Sequence, residues 1–297
     1  MPVPSLPRGL LDRYALRTRA RGTRAGERPA REAGQSVEFL DYRPYQPGDE
    51  PRAVDWRAYA RSGRLYTRLY RADRAAEVHL VLDTSPSMRL YGKGRFAEAA
   101  ARLLTHLARY EASGRVHLLG GDSSRPARSD AEIRSLWGFL ERAPATALPE
   151  GATLAGALAE LIVRQPTHPG AAAAVVLSDL LDPAPLRPAL TALRARRVDA
   201  VFVQVLAHQE LDPDPEAAEL ADVEDGATLE VGPEQARAYR EAVRTFIAHV
   251  RSEIADAGQR HVLIEVPAEV AAPGTPEREV ERQAFQALLR RGVIARR

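Results

Sequence analysis

From residue 77 onward the apolar positions of the chain follow two periods in turn. Five short runs, at 78–83, 115–120, 173–178, 198–206 and 261–266, are rich in Val, Leu and Ala and only strand-length, which predicts buried β-strands. Between them, the segments at 95–113, 185–197 and 233–258 place apolar residues three and four apart, as amphipathic helices on a sheet face do. The last of these is opened by Pro233 and closed by Gly258. Strand and helix alternate, so the fold class expected is α/β, with a mainly parallel sheet flanked by helices. The first 76 residues read differently. Turn residues Pro44, Pro47, Gly48, Pro51 and Gly63 separate short stretches such as RLYTRLYR. They predict a smaller N-terminal extension with short strands over 1–76, ahead of a body at 77–297.

Composition adds little to the fold but narrows the setting. At 297 residues, 45% hydrophobic and 28% charged, the chain can bury a sizeable core. No apolar run approaches the ~18 residues a membrane helix needs. The N-terminus carries prolines and arginines where a secretory signal would need an apolar centre, so a cytoplasmic location is expected. Cysteine is absent, which removes disulfides, zinc–thiolate sites and thiol nucleophiles. Net charge is only +2, yet Lys93 is the sole lysine and every other basic side chain is arginine. Eight arginines lie between Arg8 and Arg31 against Asp12 and Glu27, a possible footprint for nucleic acid. No aromatic residues interleave with most of them for base stacking, which favours a solvated arm instead.

Chemistry concentrates where strands end. In a parallel sheet, ligands bind outside the carboxyl ends of the strands. The stretch VHLVLDTSPSM ends a strand on Asp83 and sets Ser85 and Ser87 two residues apart; Thr153 opens a helix in EGATLAGALAEL, and Asp179 ends AAAVVLSD. All are hard oxygen donors, suited to Mg²⁺, with Mn²⁺ or Ca²⁺ as alternatives, and unsuited to zinc or copper. Each has a plainer reading as a turn or helix cap. An enzymatic reading fares worse. A metal-dependent phosphohydrolase of the haloacid-dehalogenase type needs a second carboxylate two residues after Asp83, where Ser85 stands. A serine hydrolase needs a base near Ser85 or Ser87, and the histidines fall mostly inside predicted helices and strands. YGKGR, at 91–95, lacks phosphate-loop spacing and reads as the turn into a helix.

The order Asp83, Ser85, Ser87, distant Thr153, strand-end Asp179 resembles the metal-ion-dependent adhesion site of von Willebrand factor A domains. That resemblance implies direct ligation by Ser85 and Ser87, ligation by Thr153 directly or through water, and water-mediated roles for Asp83 and Asp179. A second block is similar to the signature of bacterial domain-of-unknown-function family 58: Arg43, Tyr45, Gly48, Asp49, Arg52, Asp55, Trp56, Ala60 and Arg61 stand in R-x-Y-x-x-G-D-x-x-R-x-x-D-W-x-x-x-A-R. This resemblance implies a von Willebrand A-like body and an accessory protein, not an enzyme, working with a MoxR-type AAA+ ATPase in chaperone-like maturation. Read from its own residues, the block offers ion pairs among Asp49, Asp55 and the surrounding arginines, with Trp56 as an anchor buried between arm and body. A docking surface for the ATPase is the competing reading.

Overall fold

The computed structural model describes residues 6–17, 38–45, 54–71, 76–109, 112–119, 122–142, 153–164, 172–182, 184–213, 219–221, 228–230, 232–272 and 274–297. The chain forms two compact units, one of Met1–Thr23 with Ala76–Arg297 and one of Arg24–Ala75. The expected division at residue 76 is therefore redrawn on its N-terminal side. A short helix, α1 (Arg8–Leu11), and a strand, β1 (Tyr14–Leu16), carry Leu11 and Leu16 into the core of the larger unit. There β1 pairs antiparallel with the last strand, β11 (Ile294–Arg296), and Tyr14 sets its ring edge-on to Phe285 at 5.0 Å. Apolar side chains so near the terminus need burial, and the partner strand that completes it lies at the other end of the sequence.

The smaller unit holds β2 (Glu38–Pro44), α2 (Trp56–Ser62) and β3 (Tyr66–Arg71), with β2 and β3 antiparallel across a register shift between Phe39 and Asp41. Asp55 is the N-cap of α2: its Oδ1 accepts from the N–H groups of Arg57 and Ala58 at 2.9 and 3.0 Å, meeting two of the donors a helix start leaves without partners. Gly63, at φ +67°, closes the helix in the left-handed region by donating to Tyr59 O at 2.8 Å. Trp56 corrects the expectation of a buried anchor. Within its own unit it is 61% exposed on a helix with no buried residue, and it meets Tyr59 edge-on. Arg57 and Arg61 are exposed as well, and Tyr45 is half-buried with its N–H on Leu65 O. Gly48, Asp49 and Arg52 lie outside the described residues, and the side chain of Arg43 does too.

The larger unit is built on five parallel strands: β4 (Ala76–Leu82), β5 (Ala112–Leu118), β6 (Ala172–Ser178), β7 (Asp199–Ala207) and β10 (Arg260–Val266), in the spatial order β10-β7-β6-β4-β5. A small antiparallel pair, β8 (Glu219–Ala221) and β9 (Thr228–Glu230), follows β7. Side chains alternate across the sheet, as a strand period of two requires. Leu80, Val175 and Val203 join one apolar layer with residues of α3 (Lys93–Ala108), α4 (Asp130–Arg142) and α10 (Glu277–Arg290). Val81, Val176 and Phe202 join the other, with α5 (Leu154–Arg164), α6 (Arg187–Ala195) and α8 (Pro233–Asp256). With both faces covered, the strands read as near-continuous apolar runs. Two short helices, α7 (His208–Leu211) and α9 (Ala268–Ala271), follow β7 and β10. The helix expected over 95–113 stops at Ala108, since Ala112 already pairs in β5 opposite Ala76. Among the described residues, no helix is long and apolar enough to cross a membrane.

Candidate metal site at the switch point of the sheet

The chain leaves β4 toward β5 on one side and returns through α5 to β6 on the other. The crevice between the carboxyl ends of β4 and β6 is thus the topological switch point, the place where open α/β sheets bind ligands. Asp83 and Asp179 stand on its two walls. The ladder runs one residue past β4, with Asp83 N–H donating to Leu177 O at 2.9 Å, so Asp83 begins its turn already fixed to β6.

Asp83 is buried and held from two sides: Oδ1 accepts from Ser85 N–H at 2.8 Å and Oδ2 accepts from Ser178 Oγ at 2.5 Å. Ser85 and Ser87 remain half-buried, with their hydroxyl oxygens 3.0 Å apart. Burial pushes the Asp83 carboxyl above the usual range, and the charge of Asp179 pushes it further. A buried carboxylate whose ionisation is made costly by burial and by a second acidic side chain is electrostatically receptive to a nearby cation. The hydroxyl pair fits as well. Neighbouring ligands of an octahedron with ~2.1 Å bonds stand about 3 Å apart, the separation Ser85 and Ser87 already have.

Asp179 is the most constrained member. Its Oδ1 accepts from Leu181 N–H at 3.2 Å, its carbonyl accepts from the buried Gln204 amide at 2.9 Å, and its Oδ2 accepts from Lys93 Nζ at 2.9 Å. Behind it, His261 Nε2 is hydrogen-bonded to Gln204 Oε1 at 2.9 Å, and burial holds the His261 imidazole below its ordinary pKa. Leu180, the next residue, sits at φ +61° while fully packed inside. A bulky side chain in the left-handed region is strained, and such strain persists only where the surroundings enforce it. Here the Leu180 N–H is tied to Ser178 Oγ at 2.9 Å.

Thr153 occupies the N-cap of α5, where its Oγ1 accepts from Gly156 N–H at 3.0 Å. Its neighbour Leu154 donates its N–H to Asp182 in the loop after β6, which ties the start of α5 to the loop that carries Asp179. The structure thus joins Asp83, Ser85 and Ser87 directly, sets Asp179 within electrostatic reach of them, and gives Thr153 a capping bond of its own. Sequence reasoning missed Lys93, which is completely buried and pairs with both Asp179 and Glu210. Its signal was compositional: a single lysine in a chain otherwise supplied with arginine. Ser178, one residue before Asp179, was also missed, and only the fold shows that it faces Asp83.

Uncharacterized proteins of Mycobacterium bovis and Mycobacterium tuberculosis are 34% identical over 206 residues, which cover 66% of this chain and 60% of theirs. The chain therefore matches well under two thirds of the length of these relatives. Among solved structures, the conserved hypothetical protein BatB of Bacteroides thetaiotaomicron aligns with 71% of this chain and 98% of its own, at 14% identity and a TM-score of 0.43. An aerotolerance-related membrane protein of Bacteroides fragilis aligns with 72% and 98%, at 16% identity and the same TM-score of 0.43. Residues 41–253, which run from β2 through the switch point into α8, match the family described as protein of unknown function DUF58, and the chain belongs to that family.

Proposed function

We propose that the switch-point crevice holds a divalent cation, Mg²⁺ before Mn²⁺ or Ca²⁺, and that the protein uses it to grip an acidic side chain of a protein partner. The observation that carries this reading is the Ser85–Ser87 hydroxyl pair, 3.0 Å apart and half-buried beside the buried Asp83. Ser85 and Ser87 would hold the ion through Oγ, with Asp83 and Asp179 supporting it through water. Thr153 Oγ1 keeps a lone pair after accepting from Gly156 and would be the fifth donor. When bound, the cation supplies a position hungry for one more anionic oxygen, since hydroxyls leave its charge poorly offset. Asp83 orients the turn, Ser178 fixes its carboxylate, and Lys93, Leu181 N–H and Gln204 hold Asp179.

The von Willebrand A-like character of the body, and a MoxR-type AAA+ ATPase as the partner in chaperone-like maturation, belong to this same proposal and rest on the motif resemblance. In this reading the protein acts by binding, and Ser85 stands where a phosphohydrolase of the haloacid type would place its acid/base carboxylate. The test is capture of a MoxR-type AAA+ ATPase from the same organism in Mg²⁺, in EDTA, and with folded Ser85→Ala/Ser87→Ala protein. Capture in Mg²⁺ alone supports the reading; equal capture in all three removes the metal from it.

A further inference from the structure

Lys93 is one of 42 basic side chains and the only lysine. It is wholly buried at the first position of α3, with its ammonium on Asp179 at 2.9 Å and on Glu210 of α7. A flat guanidinium needs a planar fork of partners, whereas an ammonium is a compact point charge that fits between two carboxylates on separate elements. The surrounding chain is shaped to bring it there. Gly92 stands at φ +74°, and a Cβ on it would meet Val270 O at 2.8 Å; one on Gly94 would meet Met88 O at 3.0 Å. The 3₁₀ turn Ser87–Gly92 runs from the hydroxyl donor Ser87 straight into Lys93, so donor and lysine share one short segment.

The arrangement places a protein cation on the carboxylate that the metal reading also needs. Asp179 is almost completely buried and has one oxygen on Lys93, the other on Leu181 N–H. Glu210 is the more exposed of the two carboxylates and is itself held by Ala207 N–H at 2.8 Å.

We propose that Lys93 is the resident cation of this site, competing with a divalent ion for Asp179 and falling back on Glu210 when the ion prevails. The inference rests on the metal reading above and adds its tuning: Lys93 weakens resting metal affinity and leaves a bound ion less offset, so more dependent on a partner's carboxylate. The competition runs through one carboxylate, and a double-mutant cycle isolates it.

Affinities for Mg²⁺, Mn²⁺ and Ca²⁺ are measured by titration calorimetry in wild type, Lys93→Met, Asp179→Asn and Lys93→Met/Asp179→Asn, each checked for native circular dichroism. Lys93→Met is expected to tighten binding about tenfold or more when Asp179 is present and hardly at all in the Asp179→Asn background. Glu210→Gln, which leaves Lys93 wholly to Asp179, is expected to weaken binding several-fold, and it carries the test if Lys93→Met does not fold. Unchanged or weaker binding in Lys93→Met, or an effect of equal size without Asp179, overturns the inference while leaving the metal reading intact. If no folded variant binds any of the three ions, the metal reading falls and takes this one with it.

Discussion

Replacing His79 by Gln separates one buried titration from the rest of the acid response of the fold. His79 lies inside β4, its Nδ1 hydrogen-bonded to His117 Nε2 at 2.9 Å, and His117 Nδ1 continues to Ser123 Oγ at 2.9 Å. Burial, helped by the charge of Arg115, lowers the His79 pKa from 6.5 to about 3. The unfolded chain therefore takes up this proton first. The stability tied to the neutral imidazole is complete above pH 6.5 and is lost as pH falls toward 3. Integrated from pH 7.5 to pH 5, that one group removes ~2 kcal/mol, since each pH unit below the unfolded pKa is worth about 1.4 kcal/mol. Gln keeps a donor and an acceptor at the site and does not titrate. Urea unfolding of both proteins at the two pH values reads the difference directly. Wild type should lose ~2 kcal/mol more than His79→Gln over the interval, whatever the variant costs at pH 7.5. Equal losses would show that His79 is not held neutral by its surroundings, and the burial argument would fail.

Asp55→Ala removes the cap of α2 and should cost about 1 kcal/mol, read as earlier proteolysis or faster amide exchange within Arg24–Ala75. Trp56→Ala should change stability by no more than ~0.5 kcal/mol, because the ring is largely in water. With the buried Trp137 replaced by Phe, the remaining emission should peak near that of free tryptophan; a blue-shifted maximum would place Trp56 in an apolar setting after all. Arg102→Met should destabilise by ~2–3 kcal/mol in thermal melts. Its buried guanidinium joins Glu98 of its own helix to Glu277 of α10, and burial already raises the Glu98 carboxyl.

The sheet was legible because burial on both faces leaves no polar alternation to confuse the pattern. All five central strands fall within a few residues of their expected places, and Asp83 and Asp179 stand at their ends as read. What was not legible depends on distance in sequence. Nothing local says that Leu16 pairs with Ile294, or that α1 belongs with the body and not with the extension that follows it. The block at 43–61 shows the opposite case. Asp55 immediately precedes a helix, the position where a carboxylate caps, and that local signal was outweighed by the density of arginines around it. Trp56 was misplaced for a related reason: a lone aromatic carries no periodicity, so its face on α2 could not be read before the helix was known. Lys93 was visible as an exception in composition, but its partners lie just after β6 and in α7, 86 and 117 residues away.

The most direct test of the metal reading is the thermal stability of wild-type protein in EDTA and in Mg²⁺ at about a hundred times its dissociation constant, beside Ser85→Ala/Ser87→Ala. An ion that binds only the folded site adds ~2.7 kcal/mol at that excess, a rise of several degrees in Tm. Wild type should show the rise and the double variant should not. Coincident melting curves for wild type in the two conditions, at every Mg²⁺, Mn²⁺ or Ca²⁺ concentration up to tens of millimolar, would contradict the assignment of this crevice as a metal site.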